Sequence, residues 1–190
     1  MKIRVSKIPE SKFIPITNFE WRSGLRKNFY AILPIYLLAL SLSFFPYVSL
    51  LLLWVFSFFL SSFYMECEPL DILLARSEDS AQSFIKEKLR EHLQLYIFIT
   101  FPIVLLYGIF HFGSFWIPLV VYLLSLINIC YFILSKYASY EPNMILKANT
   151  VLHVMVSFGI FLPFLLPLSL ILCIRNYFIS IEKLKYYLDA

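Results

Sequence analysis

The chain has 190 residues, of which 61% are hydrophobic and 19% aromatic, and only 15% carry a charge. Because a soluble domain is nearer half apolar and a quarter charged, this composition argues against an ordinary soluble domain. The apolar residues form long blocks, which predicts an all-α, polytopic transmembrane helical bundle rather than a barrel of alternating strands of about ten residues each.

The first 28 residues are predicted to form a cytoplasmic arm and an interfacial helix. Residues 1–16 are basic and are broken by Pro9 and Pro15, which predicts an extended arm. Residues 17–20 (Thr-Asn-Phe-Glu) match a capping box, which predicts the start of a helix. An apolar face at Trp21, Leu25 and Phe29 beside basic residues is typical of an amphipathic helix in the membrane interface, or of a basic flank that anchors the next span.

Residues 29–190 are predicted to form a single transmembrane domain of five to six membrane segments. Apolar blocks are expected at 29–45, 47–65, 93–110, 115–134 and 151–174. Polar segments at 66–92 and 135–150 separate them, and we call these the first and the second elbow. In the first elbow, an apolar stripe after a Ser77 cap predicts a helix that runs into the third block. The stripe contains Ala81, Phe84, Ile85, Leu89, Leu93 and Tyr96.

The two elbows contain the same octet pattern, E-P-x-x-I-L-x-A. It occurs at 68–75 and again at 141–148, and five identities in eight positions indicate an internal repeat. Proline is preorganised for the first position of a helix and glutamate favours the N-terminal dipole, so each octet predicts a short helix. The pair suggests two equivalent contact points on one side of the membrane.

The fifth block is interrupted by Pro163 and Pro167. Its 24 residues reach about 36 Å as a helix, which is enough for one span but not for two. A single span would place Arg175, Lys183 and Lys185 outside, against the charge bias described next. We therefore favour a re-entrant pair of half-helices that returns the tail to the cytoplasm, where it forms another interfacial helix, and a single span stays open as the alternative.

Lysine and arginine are distributed unevenly along the chain. Seven precede the first block, four lie in 66–92, two lie in 135–150, and none lies in the turns at 44–47 and 111–116. The positive-inside rule therefore predicts that the N-terminus and both elbows are cytoplasmic, in what would be a bacterial inner membrane.

Motifs for catalysis, cofactor binding or metal binding are not evident, so we expect no enzymatic activity, no cofactor and no nucleic-acid partner. The three cysteines are far apart, and the three histidines are not at the spacing of metal ligands. The apolar blocks contain no Asp, Glu, Lys or Arg, whereas proton-coupled and ion-coupled carriers usually need such residues at depth.

The order of these elements resembles the membrane subunit of ABC-2-type exporters. The resemblance is carried by an interfacial helix at 17–29, elbow helices at 68–76 and 141–149, and the proline break at 163–167. It implies a separate ATPase subunit as partner, coupling helices in the elbows, and a homo- or heterodimer of membrane subunits in the lipid bilayer. The residues then expected to contact the ATPase are Glu68, Asp71, Arg76, Glu141 and Lys147.

Two alternatives to a transporter subunit remain open. One is a non-transporting membrane subunit that anchors or assembles a larger complex. The other is a membrane-embedded enzyme that acts on lipid, because residues 68–76 resemble the start of the D-x-x-D-G-x-x-A-R signature of CDP-alcohol phosphatidyltransferases. Isoleucine stands at the first glycine position of that signature, and leucine stands at both later aspartate positions, 89 and 93, so the metal cluster of that family cannot form.

Overall fold

The computed structural model describes residues 19–74, 80–114, 116–145, 150–159 and 162–188. Regular structure within these ranges is helical, apart from an isolated antiparallel bridge between Glu66 and Ile145. This confirms the all-α prediction. The α-helices are α1 (Phe19–Ser41), α2 (Val48–Leu60), α3 (Leu70–Leu74), α4 (Ala81–Phe110), α5 (Trp116–Ala138), α6 (Thr150–Phe158) and α7 (Leu166–Leu188).

The predicted interfacial helix and the first apolar block form one continuous helix, α1. Trp21 is buried and packs edge-on against Phe63, with the ring centroids 5.3 Å apart. The expectation that Trp21 lies at the lipid interface is therefore wrong, because the aromatic face of this first turn packs against the 3-10 helix Ser61–Tyr64 that follows α2. Long-range aromatic packing outweighs the amphipathic pattern at this position.

A glycine on α1 permits this close approach. A Cβ atom added at Gly24 would overlap the ring of Phe63, which is 1% exposed, so the ring or α1 would have to shift. At Gly113, in contrast, an added Cβ would meet nothing within 4 Å.

We expect Gly24→Ala to lower the free energy of unfolding by about 1–3 kcal/mol, because overpacking outweighs the better helix propensity of alanine. Gly113→Ala is the matched control and should change that free energy by less than about 0.5 kcal/mol. Reversible unfolding in mixed detergent micelles measures both values. Equal stability of the two variants would show that α1 does not approach Phe63 this closely.

The helix of the first elbow runs into the third apolar block, as predicted, and gives the 30-residue helix α4. Its N-cap is Ser80, whose hydroxyl accepts a hydrogen bond from the backbone N–H of Ser83 at 3.3 Å. The predicted Ser77 cap lies outside the described residues. Phe84 and Ile85 of the stripe are buried, and Leu89 packs on the same core.

The last two helices are separated near the prolines, so block 151–174 is not one continuous helix. The Sγ of Cys173 lies 3.9 Å from the carbonyl oxygen of Ile127. The hydroxyl of Ser180 donates a hydrogen bond to the carbonyl oxygen of Leu134 at 2.9 Å. The two residues of each pair are 46 positions apart in the sequence, so contacts advance along both helices in the same direction and α7 runs parallel to α5. The tail continues α7 along α5, which replaces the separate interfacial helix predicted for it.

The short helix α6 runs in the opposite direction beside α5. His153 lies against Ser135 near the C-terminal end of α5, whereas Gly159 lies near Ile127 at its middle. The chain therefore travels from the second elbow to the mid-length of α5, turns, and returns along α7 to the elbow end. Relative to α5, the chain thus starts and finishes this path at the same end.

Two helices in the described ranges, α4 and α5, are long and apolar enough to cross a membrane. In their most apolar windows, 33% and 44% of the residues are buried inside the bundle. Large apolar side chains project outward along α4 at positions that share one helical face. They are Phe98, Phe101, Leu105 and Ile109.

Candidate functional site

Five ionisable side chains are buried together at the elbow end of the bundle, and we call them the ionic cluster. Each is at most 2% exposed. They are contributed by the first turn of α1, the first elbow, the N-terminal half of α4 and the last turn of α5. The members are Glu20, Glu68, Lys88, His92 and Lys136.

Lys136 is the centre of this cluster. Its ammonium lies 2.7 Å from Oε1 of Glu20 and is also hydrogen-bonded to Oε2 of Glu68. Lys88 lies 3.2 Å from both carboxylate oxygens of Glu20. Two ammonium groups thus balance two carboxylates, which is the condition under which buried charge is tolerated.

Two tyrosines donate hydrogen bonds to the glutamates of the cluster, one to the carboxylates and one to the backbone. The Tyr137 hydroxyl lies 2.9 Å from Oε1 of Glu20 and 2.8 Å from Oε1 of Glu68, and its single proton can be donated to either. The Tyr140 hydroxyl donates to the backbone carbonyl of Glu68 at 2.8 Å. Glu68 is therefore held to α5 and to the residues just after it through both its side chain and its backbone.

His92 lies between Trp21 and Glu20 at the side of the cluster. The indole N–H of Trp21, which can only donate, points at Nδ1 of His92 from 3.0 Å, so Nδ1 carries no proton. The proton then resides on Nε2, which lies 3.4 Å from Oε2 of Glu20. This separation is within ion-pair distance but longer than a well-formed hydrogen bond.

The cations of the cluster determine the ionisation of Glu20. Burial alone raises the pKa of this carboxyl, but Lys136 and Lys88 outweigh burial and hold the pKa well below its ordinary value. At the edge of the cluster, burial raises the pKa of Glu66 while hydrogen bonds from Lys27 and Ser23 lower it, and the net direction is downward. Both carboxylates are therefore ionised at neutral pH.

The two elbows lie side by side. Glu66 and Ile145 form the antiparallel bridge, and the backbone N–H of Cys67 donates to the carbonyl of Met144 at 3.1 Å. Cys67 is buried at this junction, and burial raises the pKa of its thiol. The segments that carry the repeated octets are thus joined into one surface.

The octets themselves adopt different conformations. In the first, α3 (Leu70–Leu74) begins after Pro69, which confirms the predicted short helix. In the second, residues 141–145 form a turn followed by the bridge, with Asn143 in the left-handed region at a φ of 61°. The helix predicted for this part of the second octet is wrong, because pairing with the first elbow holds it extended.

The residues predicted to contact a partner fall into three groups. Asp71 and Glu141 are exposed, as a contact with another protein requires. Glu68 is 1% exposed, so its expected place on the surface is wrong, because Lys136 and Tyr137 draw its carboxylate inward. Arg76 and Lys147 lie outside the described residues.

Sequence reasoning missed most of the ionic cluster, although one signal was present. Lys88 and His92 lie four and eight positions after Phe84, on the same face of α4 as the apolar stripe. A lysine and a histidine within an apolar stripe indicate a buried polar partner. Glu20 was assigned to a capping box, whereas its carboxylate points into the bundle.

A cavity of about 370 Å³ lies beside the cluster, between the 3-10 helix Ser61–Tyr64, α5, α6 and α7. Its polar lining includes His153, Arg175 and Asn176. Among the described residues, no group of three or more His, Cys, Asp or Glu side chains is arranged to hold a metal ion.

No family model matches the chain, and neither the curated proteins nor the solved structures contain a match to it.

Proposed function

We propose that this chain is the membrane-spanning subunit of an ATP-driven, ABC-type exporter, and that its joined elbows dock on a separate ATPase subunit. The observation that carries the proposal is the attachment of the elbow surface to the helices. Through Glu68, the first elbow is bonded to Lys136 and Tyr137 of α5, and Lys136 in turn is bonded to Glu20 of α1.

This attachment would transmit movement. Buried, hydrogen-bonded ion pairs resist separation, because each unpaired charge left inside the protein costs several kcal/mol. A displacement of the elbows by a partner would therefore move the ends of α1, α4 and α5 together. An exporter subunit needs such a link, since the energy of ATP hydrolysis is released outside the membrane domain.

The outward apolar faces of the helices support membrane embedding. Contiguous exposed apolar surface is rare on soluble monomers, and here it follows α4 and α5 away from the ionic cluster. In this arrangement the elbow end faces the cytoplasm and the turn at 111–114 faces the opposite side.

The topology prediction is tested by cysteine labelling in spheroplasts. After Cys67, Cys130 and Cys173 are replaced by serine or alanine, a membrane-impermeant maleimide should label Ser114→Cys and should not label Ser80→Cys until the membrane is permeabilised. Labelling of Ser80→Cys alone in intact spheroplasts would reverse the topology, and labelling of both would show that the chain is not embedded.

The partner prediction is tested by charge reversal on the elbow surface. We expect the double variant Asp71→Arg, Glu141→Arg to lose at least about tenfold in affinity for the ATPase subunit that co-purifies with the wild-type chain, because contact energy is concentrated in few residues. Arg76→Glu and Lys147→Glu, singly and together, extend the test to the other predicted contacts. Glu182→Arg is the control, because Glu182 is exposed on α7, outside the elbows.

The readouts are co-purification and stimulation of ATP hydrolysis, with helical content and unfolding midpoint as tests of folding. Capture of an ATPase that the variants release would support the proposal. Wild-type chain that captures no ATP-hydrolysing subunit would contradict it. Capture without stimulation would instead favour the non-transporting anchor subunit.

A further inference from the structure

The cavity beside the ionic cluster has an unusual distribution of charge. No acidic residue is among the side chains that line it, whereas two cations are. One of them, Lys136, is already bonded to Glu20 and Glu68. The other, Arg175, is exposed and has no ion-pair partner among the described residues. Arg175 therefore supplies a cavity wall with an unneutralised positive charge.

The other polar side chains of the cavity can donate hydrogen bonds, and one of them, His153, is held in place by its neighbours. The imidazole of His153 sits between the rings of Tyr131 and Phe132, each with its centroid 5.3 Å away and nearly perpendicular. Its Nε2 lies 3.4 Å from the hydroxyl of Ser135. The amide of Asn176 and the hydroxyl of Ser139 line the same space. Aromatic packing fixes the histidine, so this wall is organised before any ligand arrives.

We propose that this cavity binds a phosphate group, carried either by a lipid headgroup or by a small soluble molecule. A guanidinium presents two parallel N–H donors that match two phosphate oxygens, and hydroxyl and amide donors serve the remaining oxygens. A volume of about 370 Å³ lies within the range of small-molecule sites and leaves room for whatever the phosphate is attached to. Ala138, the last residue of α5, and Ser139 line the cavity, so it lies at the elbow end of the bundle, where the proposed topology places the lipid headgroups.

The residues substituted to test this site differ from those substituted on the elbow surface, although Ser135, Lys136 and Ser139 of the second elbow also line the cavity. Arg175 and Asn176 belong to α7, whereas Asp71 and Glu141 belong to the elbows. Loss of phosphate binding would leave the capture of an ATPase unchanged, and failure to capture an ATPase would leave phosphate binding unchanged.

The test is equilibrium binding to the purified full-length chain in detergent. The probes are dihexanoyl phosphatidylglycerol, inorganic phosphate, and dihexanoyl glycerol as a lipid without phosphate. We expect saturable binding of at least one phosphate-bearing probe and none of dihexanoyl glycerol. Binding of the lipid alone identifies a headgroup site, and binding of inorganic phosphate identifies a site for a soluble phosphate compound.

Substitutions then assign the binding to the cavity. Arg175→Gln should weaken it by about tenfold or more, because a charge-assisted bond is lost, while Lys185→Gln, an exposed lysine on the same helix, should leave it unchanged. Asn176→Ala, which retains all charges, should weaken it by a few-fold and serves if Arg175→Gln does not fold. Equal binding by the substituted and wild-type chains, or equal binding of the lipid without phosphate, would overturn the proposal.

Discussion

Lys136→Met should lower the free energy of unfolding by about 3–5 kcal/mol, the usual cost of breaking a buried ion pair by removing one partner. Methionine has a similar volume, so the loss would come from charge rather than from a void. Glu20 would keep Lys88 as a partner, whereas the buried Glu68 would lose its ion pair with Lys136 and keep the hydrogen bond from Tyr137. Unfolding in mixed detergent micelles measures the change.

Two further variants separate this effect from a general intolerance of substitution. Lys27→Met removes the partner of Glu66, but those side chains are 54% and 27% exposed, so the expected loss is about 0–1 kcal/mol. Adding Glu68→Gln to Lys136→Met should recover part of the lost stability, because the uncompensated carboxylate is removed. If Lys136→Met were no more destabilising than Lys27→Met, the ionic cluster would not be buried in the folded protein.

Acidification should lower the free energy of unfolding, and part of that loss should come from protonation of Glu20. The pKa of Glu20 is lower in the folded chain than its ordinary value of 4.5, so the stability it contributes is fully present above 4.5 and is lost as the pH falls through the folded pKa. For one carboxylate the slope in that window reaches about 1.4 kcal/mol per pH unit, since the unfolded chain binds one more proton. Measuring the unfolding free energy from pH 7 downward tests this sign.

The acid dependence of stability should be compared between the wild type and the variant Glu20→Gln. It should be less stable at pH 7, because it leaves Lys88 without its carboxylate, and it should lose less additional stability on acidification. Glu66→Gln is the control: the pKa of Glu66 is also lowered, but its side chain is partly exposed, so the change in slope should be smaller. An acid slope in Glu20→Gln equal to that of the wild type would exclude Glu20 as its source.

The sequence alone determined those features that depend on neighbouring residues. Long apolar blocks with few charges determine helices, and the prolines near 163–167 determine that no single helix crosses 151–174. Pro69 determines the start of α3, because its fixed φ suits the first turn of a helix. The continuity of α4 likewise follows from an unbroken apolar stripe.

Only the tertiary structure decided which charges are buried and which elbow is helical. Glu20 and Lys136 meet across 116 residues, a distance that no local periodicity encodes. Glu68 and Glu141 occupy the same position of the repeated octet, yet the first is buried against Lys136 and the second is exposed. The difference arises because Lys136 provides a cation for one carboxylate alone, and because a turn at 142–143 and the bridge between Glu66 and Ile145 replace a helix at the start of the second octet.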